Sequence, residues 1–184
     1  GLRPAVLLGA FAGLRVAEAA ALRAGDVDLA GGVIIPTRQW PDLPLNSRDS
    51  STPIPIPRDL AQMLAAALQA GSGQTFVTDQ LRRPAGPWLI ERHVRRARVK
   101  VPGLSERFRF HDLRHYFASL LIASGLDVKV VQTRLRHASA MTTLNTYGHL
   151  WPDTDQASRA AVSAALRVQD EEFEPSSSHR SARS

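Results

Sequence analysis

The β-forming runs in this chain are few and short, and that limits its fold more than any other feature. "GGVIIP" (31–36) and "STPIPIP" (51–57) are β-branched stretches bounded by proline, and Trp40, further prolines and polar residues separate them. Proline cannot donate to a ladder, so such runs belong at a sheet edge, and together they read as a small hairpin with a long tip. A hairpin of this size cannot supply a core for 184 residues. The core must therefore come from helices. Residues 1–22 read as two helices broken at Gly13, and helical periodicity recurs over 60–70, 88–99, 112–124, 128–136, 140–147 and 155–168. The expected class is α+β, mainly α: a helical bundle with a small hairpin or sheet at one edge.

The length suits one domain with its own core. The longest apolar run, Ala5 to Leu14, is too short to span a membrane, and no signal peptide precedes it, so the expected compartment is the cytoplasm. The chain starts inside structure, as an excised domain would. The stretch 169–184, with "DEEFE" and "PSSSHRSARS", has the composition of a disordered tail. Cysteine is absent, which excludes disulfides, thiolate nucleophiles and zinc–thiolate sites and leaves oxygen and nitrogen groups for any chemistry.

The net charge of +6 is uneven. Between Arg82 and His115, ten Lys and Arg residues face three acidic ones (Glu91, Glu106, Asp112), a local excess of seven. Such a run is either a solvated basic face or the footprint of a polyanion binder. Arg92, Arg95, Arg96 and Arg109 within it, and Arg48 in the hairpin region, are the candidate contacts for such a polyanion.

Five residues stand in an order that invites a joint explanation. Arg15 follows a glycine turn in "AGLRVAEAAAL", with Glu18 one helical turn on and placed to hold its guanidinium. In "FRFHDLRHYFASLLIASG", His111 and Arg114 sit three apart at the start of a helix whose Leu113, Phe117, Leu120 and Leu121 face a core. The field of a helix N-terminus favours anions and lowers a histidine's pKa, keeping it able to accept a proton. His137 ends a helix in "TRLRHAS", where a histidine commonly caps carbonyls. Tyr147 lies in "SAMTTLNTYGHL", and Met141, Leu144 and Tyr147 recur every third residue, as on one packed helical face. Taken singly, a surface ion pair, a capping histidine and a core tyrosine account for each position.

Taken together, the motifs resemble the tyrosine recombinases, the phage-integrase family. Its first arginine box looks like "AGLRVAEAAAL", its His-x-x-Arg box like "HDLRH", its third basic position like His137 in "LRHAS" and its nucleophile like Tyr147 in "TYGH". Arg136 stands where glycine is more usual. The likeness spans residues 1–168, the family's catalytic domain, and lacks the N-terminal helical domain that closes over the other side of DNA.

The resemblance implies attack of Tyr147 on a phosphodiester of double-stranded DNA, giving a 3′-phosphotyrosyl link and a 5′-hydroxyl that later rejoins, in site-specific recombination without metal or ATP. A phenol of pKa near 10 is only about a thousandth ionised at pH 7, so deprotonation costs about 4 kcal/mol without help. His111 would manage that proton, and Arg15, Arg114 and His137 would stabilise the phosphorane. The family's lysine, which protonates the departing oxygen from the hairpin, aligns with Asn46. The only lysines of the chain are Lys100 and Lys129. Tyr116 is expected to pack. The likeness also implies a DNA-bound homotetramer from a monomer when free, with the 155–168 helix docked on its own domain or exchanged. An inactive DNA-gripping remnant and a type IB topoisomerase are the alternatives.

Overall fold

The computed structural model describes residues 2–71, 73–151, 158–160 and 162–164, in two units, 1–150 and 151–184. In the first unit, α1 (Arg3–Ala12) carries Pro4 in its first turn, where a missing N–H is harmless. Gly13 ends it in the left-handed region at φ 64°, and Leu14 N–H returns to Leu8 O at 3.1 Å. A side chain at Gly13 would also run into Phe117, with a Cβ only 2.6 Å from its ring. Gly9 allows an equally close approach, since a Cβ there would lie 2.9 Å from Phe110 and 3.0 Å from Leu113. Glycine at these two positions is what seats α1 on α5 (Phe110–Ala123), the most extensive helix pairing in the unit.

The remaining helices are α2 (Val16–Ala21), α3 (Arg58–Ala70), α4 (Pro87–Arg98), α6 (Val128–Leu135) and α7 (Ala140–Tyr147). Asp127 opens α6 by accepting from the N–H groups of Lys129 and Val130 at 2.8 and 3.0 Å. The expected 155–168 helix falls largely outside the described residues, and the described positions within it, 158–160 and 162–164, are helical and exposed. The expected tail, 169–184, lies wholly outside them.

The edge sheet is richer than one hairpin. β2 (Val33–Ile34) and β5 (Ile54–Pro55) pair antiparallel as expected, with Ile34 opposite Ile54, and β1 (Val27–Asp28) joins the other edge of β2. The tip folds into a second hairpin, β3 (Arg38–Gln39) with β4 (Leu43–Pro44). Strands of two residues are too short to show a period of two, so these were hidden in sequence.

Ile34 and Ile54 send fully buried side chains into one core with Leu8, Leu14, Leu22, Leu64, Phe76, Ile90 and Phe110. Two expected faces are corrected. On α5, Phe117 is buried as expected, but Leu120 is exposed and Ile122 is buried instead, because α1 and α6 cover a face rotated from the one proposed. On α7, Met141 and Leu144 are exposed, and the buried pair is Thr143 and Tyr147, one turn apart. Tyr147 is therefore not part of an apolar stripe.

Candidate active site

Five segments of the first unit converge: the turn at Gly13, the start of α2, the 3-10 turn Arg48–Ser51 after the hairpin tip, the face of α5 carrying Arg114, and the end of α6 running into α7. Arg15 precedes α2, so its backbone N–H is unpaired within the helix and donates to Glu18 Oε2 at 2.8 Å. Its Nη1 donates to Glu18 Oε1 at 2.9 Å and to Ser50 Oγ at 3.3 Å. The Arg15 side chain remains 38% exposed, held but reachable from solvent.

Arg114 is different. It is 2% exposed, and its two terminal nitrogens donate to the carbonyls of Gly13 and Leu135. It clamps the α1–α2 turn to the end of α6. Burial, then the positive fields of Arg15 and Arg136, push its pKa down to about 9, against Glu18 and Tyr147, which act to raise it. The cluster holds more positive charge than Glu18 balances, which is an arrangement that favours an anion.

His137 places its Nδ1 2.9 Å from Thr143 Oγ1. Its backbone N–H, rather than its ring, closes α6 by donating to Gln132 O at 3.1 Å. Burial first, then the neighbouring cations Arg114 and Arg15, then His111 and Arg136, hold its pKa down at about 4, so the ring is neutral at pH 7. His111 is also lowered, the expected direction, but burial is the first cause, followed by the fields of His115 and Arg114.

Tyr147 ends α7 at 5% exposure. Its hydroxyl lies 2.6 Å from Nδ1 of His115 rather than meeting His111. His111 stacks edge-on against His115, ring centroids 4.7 Å apart, so the two histidines and the tyrosine form a row. Burial raises the Tyr147 pKa, and Arg114 acts to lower it. In the free chain the phenol is protonated and held by His115. His115 and Arg136 are the two site residues missed from sequence. His115 was visible as the last residue of "HDLRH", one turn beyond His111, and Arg136 gave no sign that it would be buried.

The other candidates sit apart from this bonding. Asn46 is exposed, and its Oδ1 accepts from Gln39 Nε2 at 2.7 Å beside the tip hairpin. Arg48, Arg92, Arg95, Arg96 and Arg109 are exposed, and their side chains make no hydrogen bond or ion pair among the described residues. Tyr116, expected to pack, is 51% exposed and touches Phe11 edge-to-face at 6.1 Å.

The phage integrase family model matches residues 2–153. The chain is 33% identical to the tyrosine recombinase XerA of Thermococcus kodakarensis over 147 residues, 75% of this chain and 47% of that protein. It is 34% identical to tyrosine recombinase XerC of Stutzerimonas stutzeri over 143 residues, 75% of this chain and 44% of the relative. It thus spans about half the length of these relatives. Among solved structures, the Tn1549 transposon integrase in complex with circular intermediate DNA superposes with a TM-score of 0.71 at 19% identity, over 88% of this chain and 59% of that one. A lambda integrase dimer bound to a core site gives 0.59 at 22% identity, over 79% and 51%. The mainly helical fold with a small antiparallel sheet is the one these recombinase structures share, and the chain belongs to the phage integrase family.

Proposed function

We propose that residues 1–168 form the catalytic domain of a tyrosine site-specific recombinase that breaks and rejoins double-stranded DNA through a 3′-phosphotyrosyl intermediate. The observation that carries the reading is the placement of the Tyr147 hydroxyl on His115, beside an excess of buried cations with Arg15 open to solvent. A scissile phosphate entering there meets Arg15 directly, and its charge offsets the repulsion among Arg15, Arg114 and Arg136. The guanidiniums in turn stabilise the charge that builds on its non-bridging oxygens as the phosphorus becomes five-coordinate, Arg15 by direct contact and the buried pair through their field. His137, neutral in the free chain, gains a proton more readily once the anion is present and then donates to it. Tyr147 passes its proton to the histidine row as its oxygen attacks phosphorus, and the 5′-oxygen departs. The relatives solved on DNA support a duplex substrate. On this reading the free chain is a monomer in the cytoplasm and four copies assemble on paired DNA sites.

A nicked suicide duplex tests the reading, because loss of the short 5′ product traps the covalent intermediate. Peptide mapping should place the adduct on Tyr147, and Tyr147→Phe should abolish it while leaving duplex affinity unchanged. An adduct on another residue would refute the assignment. A second reading, a domain that grips DNA without cutting it, is favoured by one observation: Asn46 stands at the hairpin position where the resemblance expects a lysine, and its side chain is engaged by Gln39. Duplex binding with no adduct on any substrate is its signature.

A further inference from the structure

The basic residue beside His137 is the least expected member of the site. Arg136 caps α6 with φ 55°, in the left-handed region that glycine enters freely and arginine does not. Its side chain is 0% exposed, so it meets neither solvent nor a phosphate arriving from solvent. Its Nη2 donates to Glu18 Oε2 at 2.7 Å and to Gly13 O at 3.4 Å, and its Nη1 donates to Ser50 O at 2.9 Å. Glu18 and Ser50 are the two side chains that hold the Arg15 guanidinium, one through Oε1 and one through Oγ. Ser50 Oγ also lies 3.0 Å from Ser47 Oγ, in the loop directly after Asn46.

We propose that Arg136 is a positioning residue: from within the fold it pins both partners of Arg15 and the loop leaving the hairpin tip, and so sets where Arg15 meets the phosphate. Without Arg136, Glu18 keeps only its bonds to Arg15 itself, and the pair turns as a unit. The planar fork is essential to this, since it reaches Glu18 and Ser50 O from one guanidinium, whereas an ammonium is a single point donor. The left-handed backbone at Arg136 is the energetic cost of placing a fork there. The proposal rests on the recombinase reading for its consequence in catalysis, but the geometry it claims belongs to the free chain.

Two measurements on the full chain test it. In the free protein, the nitrogen-15 signals of the Arg15 guanidinium, assigned by their loss in Arg15→Lys, should be dispersed, and Arg136→Gly, which relaxes the backbone and deletes the fork, should return them to the position of a solvated arginine. On a suicide duplex with a 5′-bridging sulfur, Arg136→Gly should slow single-turnover adduct formation by about 10²-fold, the usual consequence of misplacing a catalytic group. Duplex affinity should change by less than about twofold, a loss confined to the transition state. Arg136→Lys should recover part of the rate. Unchanged Arg15 signals in a folded Arg136→Gly protein, or rate and affinity falling in parallel, would overturn the proposal. If Arg136→Gly does not fold, Arg136→Lys decides: unaltered Arg15 signals and unaltered rate would show that the fork is dispensable. If the starting chain forms no adduct at all, the recombinase reading fails, while the Arg15 signals still decide the positioning claim.

Discussion

At the scale of residues, the two largest fully buried side chains of the described structure are Arg114 and Arg136, ahead of Phe76 and Phe110. Removing water from a guanidinium is expensive unless carbonyls and carboxylates replace it, and Gly13, Ser50, Leu135 and Glu18 do so for the terminal nitrogens, while Arg136 Nε is buried without a partner. Glu18 illustrates the balance: burial acts to raise its pKa, but Arg136, the Arg15 N–H and the Arg15 charge together bring it below the ordinary carboxylate value. His137 has no carboxylate to offset the same cations. Its native pKa of about 4 lies below the unfolded value of about 6.5, so the unfolded chain binds the extra proton first. Stability linked to His137 is therefore complete above about pH 6.5 and is lost as pH falls toward about 4. Replacing it by His137→Gln, which can still bond Thr143, should flatten the fall of Tm between those pH values relative to the starting chain. Parallel Tm curves would show that the fold does not lower the pKa of this ring. The difference between the two proteins is the observable, since carboxylates titrate in both. Arg15, His111, Arg114, His137 and Tyr147 were legible as a set because their order and spacing resemble a family. The bond from Arg136 to Glu18 spans 118 positions, and no local pattern encodes it.

At the scale of elements, helices announced themselves and strands did not. The five helices that periodicity bounded, α3 to α7, lie within two residues of where it put them, and the break at Gly13 falls where expected, since Gly13, Asp127 and Ser139 mark ends by mechanisms that sequence displays. The two-residue strands offer no such signal, and β1 and the tip hairpin emerged only from pairing. That hairpin matters for mechanism. Its exit carries Asn46, which donates hydrogen bonds but no proton at neutral pH, while the 5′-oxygen expelled by Tyr147 needs one. A positioned general acid usually contributes about 10²–10⁴-fold. Two duplexes differing only in a 5′-bridging oxygen or sulfur separate the effects, because a thiolate leaves unaided. The starting chain should cleave the sulfur duplex at least about 10²-fold faster. Asn46→Lys should narrow the gap by accelerating the oxygen duplex alone. Equal cleavage of both duplexes by the starting chain would mean that another group already serves as the acid.

At the scale of the whole molecule, charge is arranged in two tiers: a buried tier of Arg114 and Arg136 around the candidate site, and an exposed tier along α4. The second was legible as a local excess of seven, but whether it faced solvent was not, since Arg98 in the same helix turns inward and donates to Phe108 O. Arg92, Arg95 and Arg96 are exposed at spacings of three and four, so they share one face, while Ile90 and Val94 bury the other in the core. Three unpaired guanidiniums on one face repel one another in the free chain and gain on meeting a polyanion. If that face lies along duplex DNA, each phosphate it neutralises releases counterions, and the logarithm of affinity falls with the logarithm of salt by about 0.9 per phosphate. The combined variant Arg92→Gln, Arg95→Gln, Arg96→Gln should then weaken binding to every duplex sequence and flatten the salt slope by up to about 0.9 for each phosphate no longer neutralised. Phosphate contacts carry no sequence information directly, so the ratio between a recombination site and random DNA should not change. Fluorescence anisotropy across a salt series measures both. An unchanged slope would make the α4 face a solvated surface and leave the attraction for DNA to the tier around Arg15.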